Sequence, residues 1–283
     1  MNFHNSNARL FVPDGVAEPL GRTTHLGIGA HQDDLEFMAF HGILACFQSS
    51  GKWFGGVTCT DGAGSSRAGA YAQFTDEEMR AVRVQEQDHA AVVGRYAAMI
   101  QLGYSSAAVR SATDSSLRED LLQILQAARP QIVYTHNPAD KHDTHIGVLI
   151  AALEAMRALP ADARPKAVYG CEVWRGLDWM LDEDKVAHDV SAHENLAAAL
   201  NGIFDSQIAG GKRYDLATLG RRRANATYYV AHATDAAQMI SFAMDLTPLV
   251  ADPSLSIVDY AGNYIARFAA DVRGRLAQRL GAR

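Results

Sequence analysis

Short runs rich in β-branched and aromatic residues alternate with amphipathic helical runs through the first two thirds of this chain, and that alternation constrains its fold most. Residues 25–30 (HLGIGA) read as a buried first strand, followed by a helix over about 35–47. Residues 53–59 (WFGGVTC) read as a second strand, and the Gly/Ser-rich stretch 61–69 as a loop. Thr75 and Glu78 have capping-box spacing and open a helix that runs to Val93. A third strand covers 98–102. A second capping-box pattern, Ser116 to Glu119, precedes a helix with Leu117, Leu121, Ile124, Leu125 and Ala128 on one face. A fourth strand at 131–135, a helix at 145–157 and a fifth strand at 167–173 continue the pattern.

Strands separated by helices of this length need crossover connections, which implies an α/β fold: a Rossmann-like open parallel sheet with helices on both faces. From about 191 the chain reads as mostly helical. Its last helix places Ile257, Tyr260, Ala261, Tyr264, Ile265, Phe268 and Val272 on one side. There is no internal repeat or low-complexity linker. Residues 1–283 therefore read as a single domain, with a core over about 24–207 and a helical C-terminal extension over 208–283.

Composition narrows the function classes. With 48% hydrophobic and 20% charged residues, the chain can bury a core without disulfides or a structural metal. Cys46, Cys59 and Cys171 are odd in number and far apart, which argues against a disulfide framework or a Cys-based zinc site and suits a reducing compartment. The net charge of −6 comes from interspersed acids and bases, so a nucleic-acid partner is not expected. The one basic cluster, Arg221, Arg222 and Arg223, reads as a solvated helix face, with contact to an anionic substrate or a partner subunit as the alternative. The N-terminus lacks the pattern of a signal peptide, and no apolar run reaches the roughly 20 residues of a membrane span. The expectation is a cytoplasmic protein without a membrane span. Self-association into a homo-oligomer stays open.

Metal-capable residues concentrate in two segments just after predicted strands. The first is Ala30-His31-Gln32-Asp33-Asp34. The second runs from His136 to His145 and contains Pro138, Asp140, His142, Asp143 and Thr144. Ligands of open parallel sheets bind outside the carboxyl ends of the strands, where two such loops converge. Adjacent aspartates next to a core repel each other and suffer raised pKa values unless a cation compensates. His31, one of the two aspartates and a histidine from the second segment would make a three-ligand zinc site with an open position for water. The other aspartate then stands where a general base is needed, and a second histidine could stabilise an oxyanion and protonate a leaving amine. Taken singly, each segment has a plainer reading: His-x-Asp-Asp as a helix cap, and His-x-x-His as an ordinary loop.

At these residues the sequence resembles the PIG-L/LmbE-like N-deacetylase family, which carries AHPDD after its first strand and PxDxHxDH after its fourth. Here the motifs stand as AHQDD and, from Pro138 to His145, PxDxHxTH. Weaker likenesses are the Thr60–Gly64 loop (TDGAG) and the Arg83-x-x-Glu86 pair before Val93-Gly94. The resemblance covers roughly 24–207. It implies zinc, with iron(II) as another divalent candidate, held by His31, Asp34 and His145. It also implies Asp33 as general base and His142 as the group that assists the oxyanion and leaving amine. The implied substrate is a small molecule, an N-acetylated amino sugar or sugar conjugate.

Two positions depart from the family. Gln32 replaces proline, giving up rigidity and adding an amide with reach toward a substrate. Thr144 replaces aspartate, so Asp140 or Asp143 would have to supply the carboxylate that charges and orients His142. Arg83 and Glu86 read as an internal ion pair, with substrate contact as the alternative. Trp174 reads as a core residue, with stacking on a sugar as the alternative. His41, His89, His188, His193 and His232 have no partner at metal spacing and read as structural or surface residues.

Three other functions compete. A zinc hydrolase of the same fold acting on a non-sugar amide has no distinguishing residue in the sequence. A nucleotide-binding module would use Gly27-Ile28-Gly29, but Gln32 occupies the third glycine position and the helix start is acidic. A receiver-like module would use the paired acids for magnesium, but Asp61 follows the wrong strand and the second motif goes unused.

Overall fold

A computed structural model describes residues 1–281 of the protein. Eight strands form one sheet: β1 (Arg9–Phe11), β2 (His25–Gly29), β3 (Phe54–Thr60), β4 (Ala98–Tyr104), β5 (Ile132–His136), β6 (Ala167–Cys171), β7 (Lys185–Asp189) and β8 (Ile240–Asp245). The order across the sheet is β1-β4-β3-β2-β5-β6-β8-β7. The five strands from β4 to β6 are parallel. β1 pairs antiparallel at one edge, and β8 and β7 close the other edge antiparallel.

The five expected strands are all present. β1, β7 and β8 are additions, and β8 places residues 240–245 of the supposed helical extension inside the sheet. The helices are α1 (Asp34–Met38), α2 (Phe40–Cys46), α3 (Asp76–Val93), α4 (Ser106–Val109), α5 (Ser116–Ala128), α6 (Asp143–Arg157), α7 (Glu194–Gly202), α8 (Asp205–Ile208), α9 (Tyr214–Tyr228), α10 (Thr247–Ala251) and α11 (Ile257–Leu280). The helix expected over 35–47 is broken at Ala39 into α1 and α2. The capping box of α3 forms as expected. The one expected at Ser116 does not: Ser115 occupies the N-cap position and bonds Glu119 through its hydroxyl.

Side chains alternate across the strands, and this splits the core in two. Leu26, Ile28, Val57 and Val133 pack on one face with α5 and α6, and Phe54, Met99 and Tyr134 pack on the other with α1, α2 and α7. Gly27 and Gly29 serve this packing. A Cβ on Gly27 would lie 2.8 Å from the Phe54 ring and 2.9 Å from Leu35. The Gly-x-Gly pattern is therefore the bed on which α1 docks, which removes the basis of the nucleotide-binding reading. Asp61 is engaged by Arg80 at 2.9 Å, and the receiver-like reading loses its acid in the same way.

In α11, Ile257, Tyr260 and Tyr264 pack against the core, but Ile265 and Val272 are exposed. No described helix is long and apolar enough to cross a membrane.

Two histidines stack in the second core layer, His41 on His188, with ring centroids 3.9 Å apart. Burial lowers the pKa of both, that of His188 to about 3. Their unfolded values lie near 6.5, so below that pH the unfolded chain binds more protons and stability falls toward pH 3. Replacing His188 with Phe removes one of these groups. The slope of unfolding free energy between pH 6 and 4 should then flatten by about 1 kcal/mol per pH unit, as measured by urea unfolding. An unchanged slope would show that His188 is not held neutral in the fold.

Candidate metal centre and its cavity

β2 ends at Gly29 and the chain turns at His31 into α1, while β5 ends at His136 and leads through Pro138 into α6. Because β2 and β5 are neighbours in parallel register, both turns emerge at the same end of the sheet. The turn at Asp33 takes a left-handed backbone conformation (φ 107°), unusual for a residue with a side chain. This bend sends the two adjacent carboxylates in different directions.

The Asp34 carboxylate turns inward. Its Oδ2 accepts the main-chain N–H groups of Ala30 (3.1 Å) and His31 (2.7 Å). It lies 3.3 Å from His31 Nδ1 and 3.4 Å from His145 Nε2, and those two nitrogens are 3.2 Å apart. Burial pushes the Asp34 pKa up, but the facing His145, His136 and His31 outweigh it and hold the carboxyl well below the usual range. Three donor atoms from residues 31, 34 and 145 thus form a nearly equilateral triangle. A tetrahedral ion with bonds of roughly 2.0–2.1 Å has edges of about 3.3–3.4 Å, so the donor set and its spacing fit zinc.

Asp33 turns toward α3. Its Oδ2 accepts from Arg83 at 3.0 Å, and its main-chain N–H donates to Gln87 Oε1 at 3.2 Å. Burial raises its pKa to about 6, assisted by Asp34 and opposed by Arg83. Arg83 also bonds the carbonyl oxygen of Gln32 and pairs with Glu86 at 3.2 Å. Arg83 thus forms the expected internal ion pair, and it also lies on the cavity wall.

In the second segment, His145 Nδ1 faces Asp140 at 3.4 Å while its Nε2 faces Asp34. The pKa of His145 is raised because Asp34 and Asp140 together outweigh burial. Asp140 also accepts the main-chain N–H groups of His142 (2.9 Å) and Trp174 (3.2 Å). The expected carboxylate partner for the His142 ring is absent among the described residues. Asp140 is committed to His145 and the backbone, and Asp143 is exposed on the first turn of α6. The His142 ring instead accepts the Thr144 main-chain N–H at Nδ1 (3.3 Å), leaving Nε2–H as its donor. Burial and the neighbouring His145 and His31 lower its pKa, so at neutral pH it is a neutral imidazole.

Gln32 is buried and does not reach the cavity. Its amide donates to the Thr60 carbonyl at 3.1 Å and to Gln101 Oε1 at 3.3 Å, tying the first motif to the neighbouring loop. Trp174 is half-buried on the cavity wall, not a core residue, with its ring 6.3 Å from that of His142.

His136 was not singled out in the sequence. Its ring stacks on His145 at 3.9 Å, and its Nε2 accepts the Ala30 N–H at 3.0 Å and lies 3.5 Å from Asp34. Burial and His145 lower its pKa to about 3. The available signal was its place as the last residue of β5, where strand ends face the site. With Nε2 occupied by the main chain, His136 is not counted in the donor triangle.

The triangle opens into a cavity of about 610 Å³ lined by Asp33, Asp34, His31 and His142. Residues of α9 and of the segment after β6 complete the lining. The cluster of metal-type donors thus sits at the strand ends of a parallel sheet with flanking helices.

Residues 26–156 match the family model PIG-L, described as GlcNAc-PI de-N-acetylase. No curated protein matches the chain. Among solved structures it is similar to GalB, the 4-carboxy-2-hydroxymuconate hydratase from Pseudomonas putida. That likeness has TM-score 0.62 and 18% identity, covering 79% of this chain and 96% of that one. It is also similar to a conserved protein from Thermus thermophilus (TM-score 0.62, 18% identity, covering 83% and 99%). A third is N,N'-diacetylchitobiose deacetylase from Pyrococcus horikoshii (TM-score 0.58, 17% identity, covering 81% and 87%). At these identities the likeness establishes the fold.

The Asp140–His145 contact generates a prediction. A carboxylate behind a ligating histidine typically contributes about 10–100-fold in metal affinity. Asp140→Asn should weaken zinc binding by that factor, measured by chelator competition, with the protein still folded. Unchanged affinity would show that Asp140 serves only the loop backbone.

Proposed function

We propose that this chain is a zinc-dependent N-deacetylase that hydrolyses the N-acyl group, acetyl in the first instance, of an amino sugar or sugar conjugate. The observation that carries the reading is the divergence of two adjacent aspartates, with Asp34 inside a triangle of metal-type donors and Asp33 beside it with a raised pKa. His31, Asp34 and His145 would hold the ion, with iron(II) as an alternative occupant. Bound there, zinc would activate a water and polarise the amide carbonyl.

The remaining roles follow from the chain's own groups. Asp33, ionised above about pH 6, accepts the proton of the attacking water. Arg83 fixes its carboxylate in place through the 3.0 Å bond. The neutral His142 offers Nε2–H to the carbonyl oxygen as negative charge develops on it. As the C–N bond breaks, the proton held by Asp33 passes to the leaving nitrogen, so a cationic His142 is not required. Trp174, with Tyr214 at a ring distance of 6.0 Å, supplies an aromatic wall suited to a sugar ring. The hydratase among the structural neighbours shows that this fold hosts more than one chemistry, so the reading rests on the site.

Asp33→Asn separates base from ligand. The variant should keep its zinc and lose about 10²–10⁴-fold in kcat, followed as free amine released from N-acetylated sugars. His145→Ala should lose the zinc. Metal loss in Asp33→Asn would exchange the roles of the two aspartates, and full activity in it would remove Asp33 as base.

A further inference from the structure

Part of the cavity wall is cationic. Lys212, Arg221 and Arg222 line it, and Arg110 stands at its edge. Among the described residues none of the four has a carboxylate within 4.0 Å, although the chain carries a net charge of −6 and many of its other arginines are paired. The basic triplet singled out in the sequence thus divides. Arg223 is exposed and pairs with Glu194. Arg221 is half-buried and donates to the Val173 carbonyl. Arg222 is buried, 2% exposed, with its guanidinium 4.5 Å over the Phe40 ring.

Arg222 uses Nη2 on the carbonyl oxygens of Glu36 (2.8 Å) and Phe37 (3.1 Å). Its Nε and Nη1 have no partner among the described residues. Burial alone lowers its pKa to about 9, with no counter-charge opposing the shift. A buried cation with free N–H groups is costly unless an anion completes it. The protein's own acids do not. Asp33 is engaged by Arg83, and Asp34 by main-chain N–H groups and the facing histidines. The third acid on the wall, Glu172, is saturated by N–H groups of Leu177 (2.9 Å), Asn225 (2.9 Å) and Phe242 (3.2 Å). Lys212 lies 5.3 Å over the Trp174 ring, on the same wall that the sugar reading uses.

We propose that Arg222, with Arg221 and Lys212, forms an oxyanion subsite, and that the substrate is an acylated amine carrying a carboxylate or phosphate. The inference rests on the deacetylase reading for the amide, but the subsite itself rests on residues of α9 and the segment before it, outside the matched 26–156. The anion anchors the substrate at these cations while the amide reaches Asp33 and His142. Neutral N-acetyl sugars lack that anchor and are poor substrates.

The test compares three product amines on the zinc-loaded enzyme by calorimetry: glucosamine, muramic acid and glucosamine 6-phosphate. The kcat/KM of their N-acetyl forms is measured alongside. The anionic pair should bind about tenfold or more tighter than glucosamine, as expected for added charge-assisted bonds, with the margin shrinking as salt is raised. The carboxylate and phosphate arms identify which oxyanion the wall takes. Arg222→Met and, separately, the exposed Lys212→Met should narrow the margin, so the test remains readable if Arg222→Met does not fold. Equal binding of all three amines, or a margin unchanged in the folded variants, overturns the subsite. Hydrolysis of the N-acetyl sugars without an anionic preference also overturns it while leaving the deacetylase reading intact. Selective binding of the anionic amines with none of the N-acetyl forms hydrolysed supports the subsite and counts against the deacetylase reading.

Discussion

Everything in the site depends on how the fold accommodates two neighbouring carboxylates at a buried strand end. Placed side by side and unpaired, Asp33 and Asp34 would each oppose ionisation of the other. The left-handed backbone at Asp33 separates them, so that one faces three imidazoles and two main-chain N–H groups while the other faces Arg83. The result is one carboxyl held well down and one raised to about 6. Environments that push two adjacent acids apart in this way are how acid and base roles are divided in hydrolytic sites.

The rest of the chain supports that division from a distance. Arg83 pairs with Glu86, which accepts both the main-chain N–H and the hydroxyl of Ser206, each at 2.7 Å. This fastens α8 to α3 directly behind the proposed base. Arg222 reaches back from α9 to the carbonyls of α1, which carries Asp34. The C-terminal third is thus not an appendage. It contributes β8 to the sheet and supplies the part of the cavity wall built from α9 and its flanks.

Much of this was legible in the sequence, for physical reasons. The five parallel strands announced themselves because strands buried on both faces are continuous apolar runs bounded by turn residues. The two motifs followed, since residues at strand ends have one place to converge. The antiparallel strands did not show: Ile240–Asp245 is a short apolar run that reads equally well as buried helix, and only pairing with β6 and β7 decides it. Gln32 was misplaced because its partners, Thr60 and Gln101, come from neighbouring strands. The partner of His142 was misassigned for a related reason, since spacing alone does not say that Asp140 turns to His145. Arg222 looked like a solvated residue because its contacts lie about 185 residues away, beyond any local pattern.

The central claim is that His31, Asp34 and His145 hold one divalent ion while Asp33 stays free beside it. Anomalous diffraction at the zinc edge from crystals of the zinc-loaded protein tests this directly. The account predicts a single strong peak bonded to His31 Nδ1, Asp34 Oδ2 and His145 Nε2, at roughly 2.0–2.2 Å from each. The Asp33 carboxylate should be uncoordinated and still bonded to Arg83. A peak ligated by Asp33 or His136 in place of one of the three, or no peak at this strand end, would contradict it.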